Sequence, residues 1–111
     1  MTVDNNLFYY EEEQQSLILW SMESQRIIHT EKIVSKVTKV FACSANKYYL
    51  IGYDTGKLEI RLATNLSLQL QFEGLGNIMD LSTDDEAFIV VSNKEGHLIH
   101  INLTDGSQSY L

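Results

Sequence analysis

The three histidines are the residues of this sequence that could most readily bind a metal ion or transfer a proton. They are His29, His97 and His100, and their spacing matches no metal-binding motif of a helix. His97 and His100 fall in a stretch that alternates like a β-strand, where an odd separation places two side chains on opposite faces. We therefore predict no metal centre and no catalytic histidine.

The acidic runs and the glycines give no clearer chemical signal. The run of three glutamates at 11–13 divides between the two faces of a predicted strand, which indicates a solvated edge. The run at 84–86 lacks the ligand spacing of a calcium-binding loop. Gly74 and Gly76 are too close together to cradle a phosphate, and no helix follows them. The sequence predicts no catalytic residue, no cofactor and no enzymatic activity.

The composition favours an intracellular protein that does not bind nucleic acid or membranes. The chain has 111 residues and a net charge of −7, from 8 basic and 15 acidic side chains. A field of this sign repels nucleic-acid backbones and anionic lipids. The single cysteine, Cys43, cannot form an internal disulfide, which fits a reducing compartment. No signal peptide is recognisable at the start, and every apolar run is too short to cross a bilayer.

The clearest structural pattern is a β-meander between residues 46 and 70. An apolar run leads into the turn Asp54-Thr55-Gly56, and two alternating runs follow, separated by a second turn at 63–65. Alternation with a period of two, interrupted by turn residues, indicates consecutive antiparallel strands.

The pattern recurs about every forty residues. Shifted by forty, Gly56 falls on Gly96; a further shift towards the start places Ser16 on Gly56 and Trp20 on Ile60. A period near forty with four short strands per unit is typical of β-propeller blades.

The repeat divides the chain into three units and eleven predicted strands. The units are an incomplete blade at 1–33 that lacks its inner strand, a complete blade at 34–73 and another at 74–111. The strands are predicted at 7–12, 17–21, 26–30, 36–42, 48–53, 57–62, 67–72, 77–82, 87–92, 97–102 and 107–111.

Several residues stand where one repeat family has characteristic ones. Trp20 lies near the end of the first copy, with Ser21 after it. Glu73 and Gly74 precede the predicted inner strand of the third copy, and a short acidic turn follows that strand at 83–86. In these features the chain resembles the WD-repeat family of β-propellers, which implies a ring of four-stranded antiparallel blades that presents binding surfaces to other proteins.

The sequence departs from that family at its buried polar network. Leu75 stands at the position of the family's Gly-His histidine. Ile60-Arg61 and His100-Ile101 stand where Trp-Asp is usual, so the network of His, Ser or Thr, Asp and Trp cannot be completed in any copy.

The predicted fold is therefore all-β, an incomplete WD-repeat-like propeller of four-stranded antiparallel blades. A closed β-barrel or a sandwich of eleven short strands is the alternative. Fewer than three blades cannot close a ring. If each end leaves about 400 Å² of apolar face in water, the two ends together forgo ~20 kcal/mol, more than the ~5–15 kcal/mol that typically stabilises a domain. We expect further blades, another chain or copies of this chain to cover the ends.

The expected function is a non-catalytic protein–protein interaction scaffold in a larger intracellular complex. A propeller-based enzyme and a lipid-binding propeller are the alternatives. The expected partner is another protein or the remaining blades, and self-association is possible. The candidate partner-binding residues lie in the turns before the inner strands and at the ends of predicted strands: Glu31, Lys32, Lys36, Tyr48, Tyr53, Glu73, Leu75 and Phe88.

Overall fold

The described residues form twelve β-strands and no helix. The computed structural model describes residues 2–3, 5–43, 47–83 and 87–111, so the acidic turn proposed at 84–86 lies outside them. The strands are β1 Thr2–Val3, β2 Asn6–Glu11, β3 Ser16–Ser21, β4 Arg26–Lys32, β5 Val37–Cys43, β6 Tyr48–Tyr53, β7 Leu58–Leu62, β8 Leu68–Phe72, β9 Ile78–Thr83, β10 Phe88–Asn93, β11 Leu98–Asn102 and β12 Gln108–Tyr110.

The strands make three four-stranded antiparallel sheets, each a simple meander. Sheet 1 has the order β1-β2-β3-β4, sheet 2 the order β5-β6-β7-β8 and sheet 3 the order β9-β10-β11-β12. Each strand therefore pairs with its neighbour in sequence, as short turns allow. The closed barrel or sandwich that the sequence left open is not formed by the described strands.

The turn glycines confirm the forty-residue period between sheets 2 and 3. Gly56 and Gly96 both adopt a left-handed backbone, with φ of 90° and 89°. Each amide donates to the carbonyl three residues earlier, that of Tyr53 or Asn93, at 3.2 and 3.0 Å. A residue with a side chain is strained at such a φ, which explains glycine at both places.

The sheets stack face to face, and sheet 2 is buried on both sides. Between sheets 1 and 2 lies a core that includes Phe8, Leu17, Leu19 and Ile51. A second core between sheets 2 and 3 consists of the following residues: Cys43, Leu50, Leu58, Ile60, Leu75, Ile78, Leu81, Ile89, Val91, Ile99 and Ile101. Sheet 2 therefore contributes the side chains of both its faces to buried cores.

The prediction that the first unit lacks an inner strand is wrong. Thr2 pairs with Leu7, and Val3 pairs with Asn6, so β1 is the fourth strand of sheet 1. The strand has only two residues, too few for an alternating pattern to be visible in the sequence.

The offset assigned to the first copy is also wrong by one residue. Gln15 (φ 49°), and not Ser16, occupies the left-handed position of Gly56. Its carbonyl accepts a hydrogen bond from Ile33, as the Gly56 carbonyl accepts one from Leu75. Trp20 is consequently the counterpart of Arg61. A shift of one residue moves a side chain to the opposite face of the sheet.

Gly52 allows sheets 2 and 3 to approach each other closely. A Cβ atom at Gly52 would lie 2.7 Å from Cγ2 of Ile78 on the inner strand of sheet 3. Ile78 is fully buried and branched at Cβ, so it cannot move away easily.

We predict that Gly52→Ala destabilises the folded protein. The clash should cost about 1–3 kcal/mol, more than the ~0.5–1 kcal/mol that alanine gains over glycine in a strand. Ser92 is the counterpart of Gly52 on the open side of sheet 3, so Ser92→Ala serves as the control and should change little. Chemical denaturation measures both variants, and an unchanged stability of Gly52→Ala would contradict this packing.

Candidate interaction surfaces

Sheet 3 has an outward face built like the face that sheet 2 buries. Val90 pairs with His100 as Leu50 pairs with Ile60 in sheet 2. Leu50 and Ile60 are buried against sheet 3, whereas Val90 and His100 are only partly covered. Leu98, on the same face, is 46% exposed. The same face also carries Asp80, Ser82 and Ser92. Sheet 3 thus presents a face of mixed polarity that no described sheet covers.

The outward face of sheet 3 is shaped by an aromatic pair. The rings of Phe88 and His100 lie 4.7 Å apart at a tilt of 38°. Beside them, Ser82, Thr83 and Val90 complete the lining of a shallow groove of about 370 Å³. This surface can accept side chains from a neighbouring sheet or protein.

Sheet 1 presents an outward face at the opposite end of the stack. Tyr9 pairs with Ile18, and Trp20 pairs with Ile27, so these four side chains share the side away from sheet 2. Tyr9 is 37% exposed and Ile27 50% exposed. Sheet 1 therefore exposes the equivalent of the face that sheet 2 turns towards sheet 1, and sheet 3 exposes the equivalent of the other face.

A buried polar cluster joins sheets 1 and 2. The Arg61 guanidinium donates two hydrogen bonds to the Glu59 carboxylate, at 3.1 and 3.2 Å. It also donates to the Leu66 carbonyl at 2.8 Å and to Glu31 of sheet 1 at 3.4 Å. The Tyr53 hydroxyl donates to the same Glu59 carboxylate. Glu59 and Arg61 are each less than a tenth exposed.

The cluster holds each of its three main groups in the usual charge state. Burial alone would raise the pKa of Glu59, but hydrogen bonds from Arg61 and Tyr53 outweigh it and hold that pKa below its ordinary value. Burial raises the pKa of Tyr53, and the neighbouring carboxylate raises it further. Burial would lower the pKa of Arg61, but the hydrogen bonds to Glu59 raise it instead. The pair is therefore ionised at neutral pH.

Sequence reasoning missed this cluster because Glu59 and Arg61 alternate with leucine and isoleucine along β7. In a sheet with one solvent-exposed face, that alternation places the charged side chains in solvent. The polar face of β7 instead lies against sheet 1. The repeat could have indicated this burial, because the middle one of three stacked units is covered on both faces.

The structure separates the predicted partner-binding residues. Tyr53 and Leu75 are fully buried, so neither is on the surface: Tyr53 joins the polar cluster, and Leu75 packs between sheets 2 and 3. Glu31 contacts Arg61 but keeps 41% of its side chain exposed. The remaining residues lie apart, with Lys36 and Glu73 towards one rim of the stack and Tyr48 and Phe88 towards the other; Lys32 ends β4.

Neither metal-binding nor membrane-spanning features stand out in the described residues. They contain no group of three or more His, Cys, Asp or Glu side chains that could hold a metal ion. Within the same residues, no helix has the length and apolar character to cross a membrane.

Solved structures share this fold at low sequence identity. The C-terminal WD40 domain of Sif2 is 15% identical, with a TM-score of 0.79 over 97% of this chain and 32% of that one. The U3-55K structure is 20% identical, with a TM-score of 0.83 over 97% of this chain and 36% of that one. The WD40 repeats of RRP9 are also 20% identical, with a TM-score of 0.80 over 96% of this chain and 34% of that one.

The comparisons confirm the fold that the sequence predicted and leave the function open. No family model and no curated protein sequence matches the chain. The chain spans about a third of the length of the three solved structures.

We predict a strong coupling between Glu59 and Arg61. Sheet 3 carries Ile99 and Ile101 at the corresponding positions, so isoleucine fits the backbone there. Arg61→Ile alone should cost about 3–5 kcal/mol because it leaves a buried carboxylate without its partner. The double variant Glu59→Ile/Arg61→Ile should recover much of that loss. A double-mutant cycle by chemical denaturation measures the coupling, and simple additivity of the two losses would contradict it.

We also predict an acid-dependent loss of stability that Glu59 causes. Its pKa in the folded protein lies below the ordinary 4.5. The unfolded chain therefore takes up the proton first as the pH falls. The stabilisation is complete above the unfolded-state pKa and is lost as the pH drops through the folded-state value. Glu59→Gln should flatten this part of the stability–pH curve, and an unchanged curve would contradict the assignment.

Proposed function

Because the chain folds as part of a WD40-type β-propeller, we propose that it is a non-catalytic protein-interaction scaffold within a larger intracellular assembly. Further blades, from the same polypeptide or from another, cover the outward faces of sheets 1 and 3. The three sheets correspond to blades at 1–33, 34–73 and 74–111. A rigid ring of this kind displays loops and blade rims to its partners.

The observation that carries this proposal is the contrast between the middle sheet and the end sheets. Sheet 2 is buried on both faces, while the outward faces of sheets 1 and 3 have no described cover and leave apolar residues such as Ile27 and Leu98 about half exposed. In a propeller each blade covers the next, so such faces are contact surfaces between blades.

The lengths of the similar structures indicate how many blades a complete ring would have. The chain's three sheets span 32–36% of those chains. At a constant length per blade, that share corresponds to about eight or nine blades in all, at or just above the upper end of the usual range of ~4–8.

The net charge and the exposed residues support protein partners. The charge of −7 disfavours nucleic acid and anionic membranes. The candidate contacts with a partner remain Glu31, Lys32, Lys36, Glu73 and Tyr48. Phe88 lies on the outward face of sheet 3, so its contact would be with a further blade. Tyr53 and Leu75 are excluded from this set by their burial.

We predict that Leu98→Asp destabilises the complete assembly as much as a core substitution does, by about 2–5 kcal/mol. Leu98 is 46% exposed in this chain, but a further blade would bury it. Val34, in the connection between β4 and β5, is 91% exposed. Val34→Asp is therefore the control and should have little effect.

The measurement is the thermal melt of the complete protein or complex with each variant. A loss at Leu98→Asp and none at Val34→Asp supports the covered face. Equal small effects of both variants would show that the outward face of sheet 3 stays in water, and would contradict the proposal.

A further inference from the structure

A cavity of about 500 Å³ lies between sheets 2 and 3. Leu50 and Ile60 line it from sheet 2, and Ile89 and Leu103 line it from sheet 3. Its volume falls within the range of ~300–1,000 Å³ that is usual for ligand sites. It is also well above the ~150 Å³ that suffices for one benzene ring in an apolar cavity.

In the interface between sheets 1 and 2, side chains fill the position that corresponds to this cavity. Between sheets 1 and 2, the rings of Phe8 and Tyr49 stack at 4.3 Å and an angle of 19°, and both residues are buried. Ile89 is the counterpart of Tyr49 in sheet 3, and Leu50 is the counterpart of Phe8 in sheet 2. The second interface therefore lacks this stacked pair, although the ring of Tyr48 lines its cavity.

The cavity reaches the outer strand of sheet 2. Gln69 and Leu70 of β8 form part of its wall, and β8 is the last strand of its sheet. Leu70 pairs with Ile60 and faces the cavity, yet it is 47% exposed. An outer strand offers backbone groups to an added extended segment.

We propose that this cavity binds an aromatic side chain carried by an extended segment of a partner protein. This inference rests on the proposed scaffold function and names the chemistry of one partner. The aromatic ring takes the place that Tyr49 occupies in the neighbouring interface. The described lining is uncharged and includes the polar residues Gln69 and Thr83, which favours an uncharged anchoring side chain. The backbone of the segment lies along β8.

A matched pair of leucines provides the test. Leu68 and Leu70 both lie on β8 with similar exposure, 44% and 47%. Leu68 pairs with Arg61 and so faces sheet 1, whereas Leu70 lines the cavity. Leu70→Ser should remove a cavity wall, and Leu68→Ser should leave the cavity intact. Ile89→Tyr is a second variant, which supplies from the protein itself the ring that the partner would insert.

The experiment selects ligands for the complete protein from a display library of random linear peptides. We expect the enriched peptides to share one Phe, Tyr or Trp, and a synthetic consensus peptide to shift the methyl resonances of Leu50, Ile60 and Leu103. Affinity should fall at least tenfold when alanine replaces the aromatic residue of the peptide. It should fall equally with Leu70→Ser and Ile89→Tyr, and stay unchanged with Leu68→Ser.

Three outcomes would overturn the inference. The first is enrichment of peptides that share no aromatic residue. The second is an equal loss of peptide affinity for Leu68→Ser and Leu70→Ser. The third is that p-cresol, the side-chain analogue of tyrosine, binds in the cavity while no peptide does. The last would identify the cavity as a site for small aromatic molecules. The melts of Leu98→Asp and Val34→Asp report separately on the scaffold, so failure here does not count against the proposed function.

Discussion

A β-sheet with apolar side chains on both faces is stable in water only between two other layers. This constraint governs sheet 2, in which residues on both sides of β6 and β7 are buried. Phe8 and Leu17 of sheet 1 cover one side, and Ile78 and Ile89 of sheet 3 cover the other. The outward faces of the end sheets are of mixed polarity, but they too expose apolar residues such as Ile27 and Leu98 and have no described cover. The proposed scaffold function follows from extending the stacking by one more sheet at each end.

The two interfaces of the stack are packed with different kinds of side chain. Between sheets 1 and 2, the aromatic rings of Phe8 and Tyr49 stack, and Glu59 and Arg61 form an ion pair with a contact to Glu31. Between sheets 2 and 3, aliphatic side chains fill the equivalent positions and leave a cavity. A buried ion pair contributes little net stability compared with apolar residues, but a wrong neighbour would leave it without its partners. We infer that the polar cluster selects sheet 1 as the neighbour of sheet 2.

Much of the fold could be predicted from the sequence because the relevant signals are local. Alternation along the strands and the turn glycines Gly56 and Gly96 determined the meander and the period. The two errors arose where those signals are weak. Thr2–Val3 is too short to alternate, and Gln15 takes a left-handed turn position where glycine would be expected. Without glycine as a marker, the first copy was aligned one residue away from its true offset.

The surfaces were harder to predict than the strands, because burial depends on which sheet lies opposite. Tyr53 and Leu75 look like exposed turn and strand residues in the sequence, but the neighbouring sheets bury both. Glu59 and Arg61 look like solvent-facing charges because the sequence does not show that sheet 1 lies against them. The family's Trp-Asp network was expected to be incomplete, and the pattern of that network gave no hint of the Tyr53–Glu59–Arg61 cluster that the structure shows.

The central claim is that the two outward faces of the stack require a cover. Analytical ultracentrifugation of the isolated 111-residue chain, combined with its thermal melt, tests it most directly. The account predicts that the isolated chain either associates through its ends or melts without cooperativity, and that a cooperative melt returns when the rest of the ring is present. A monomer that is well folded and melts cooperatively on its own would contradict the account.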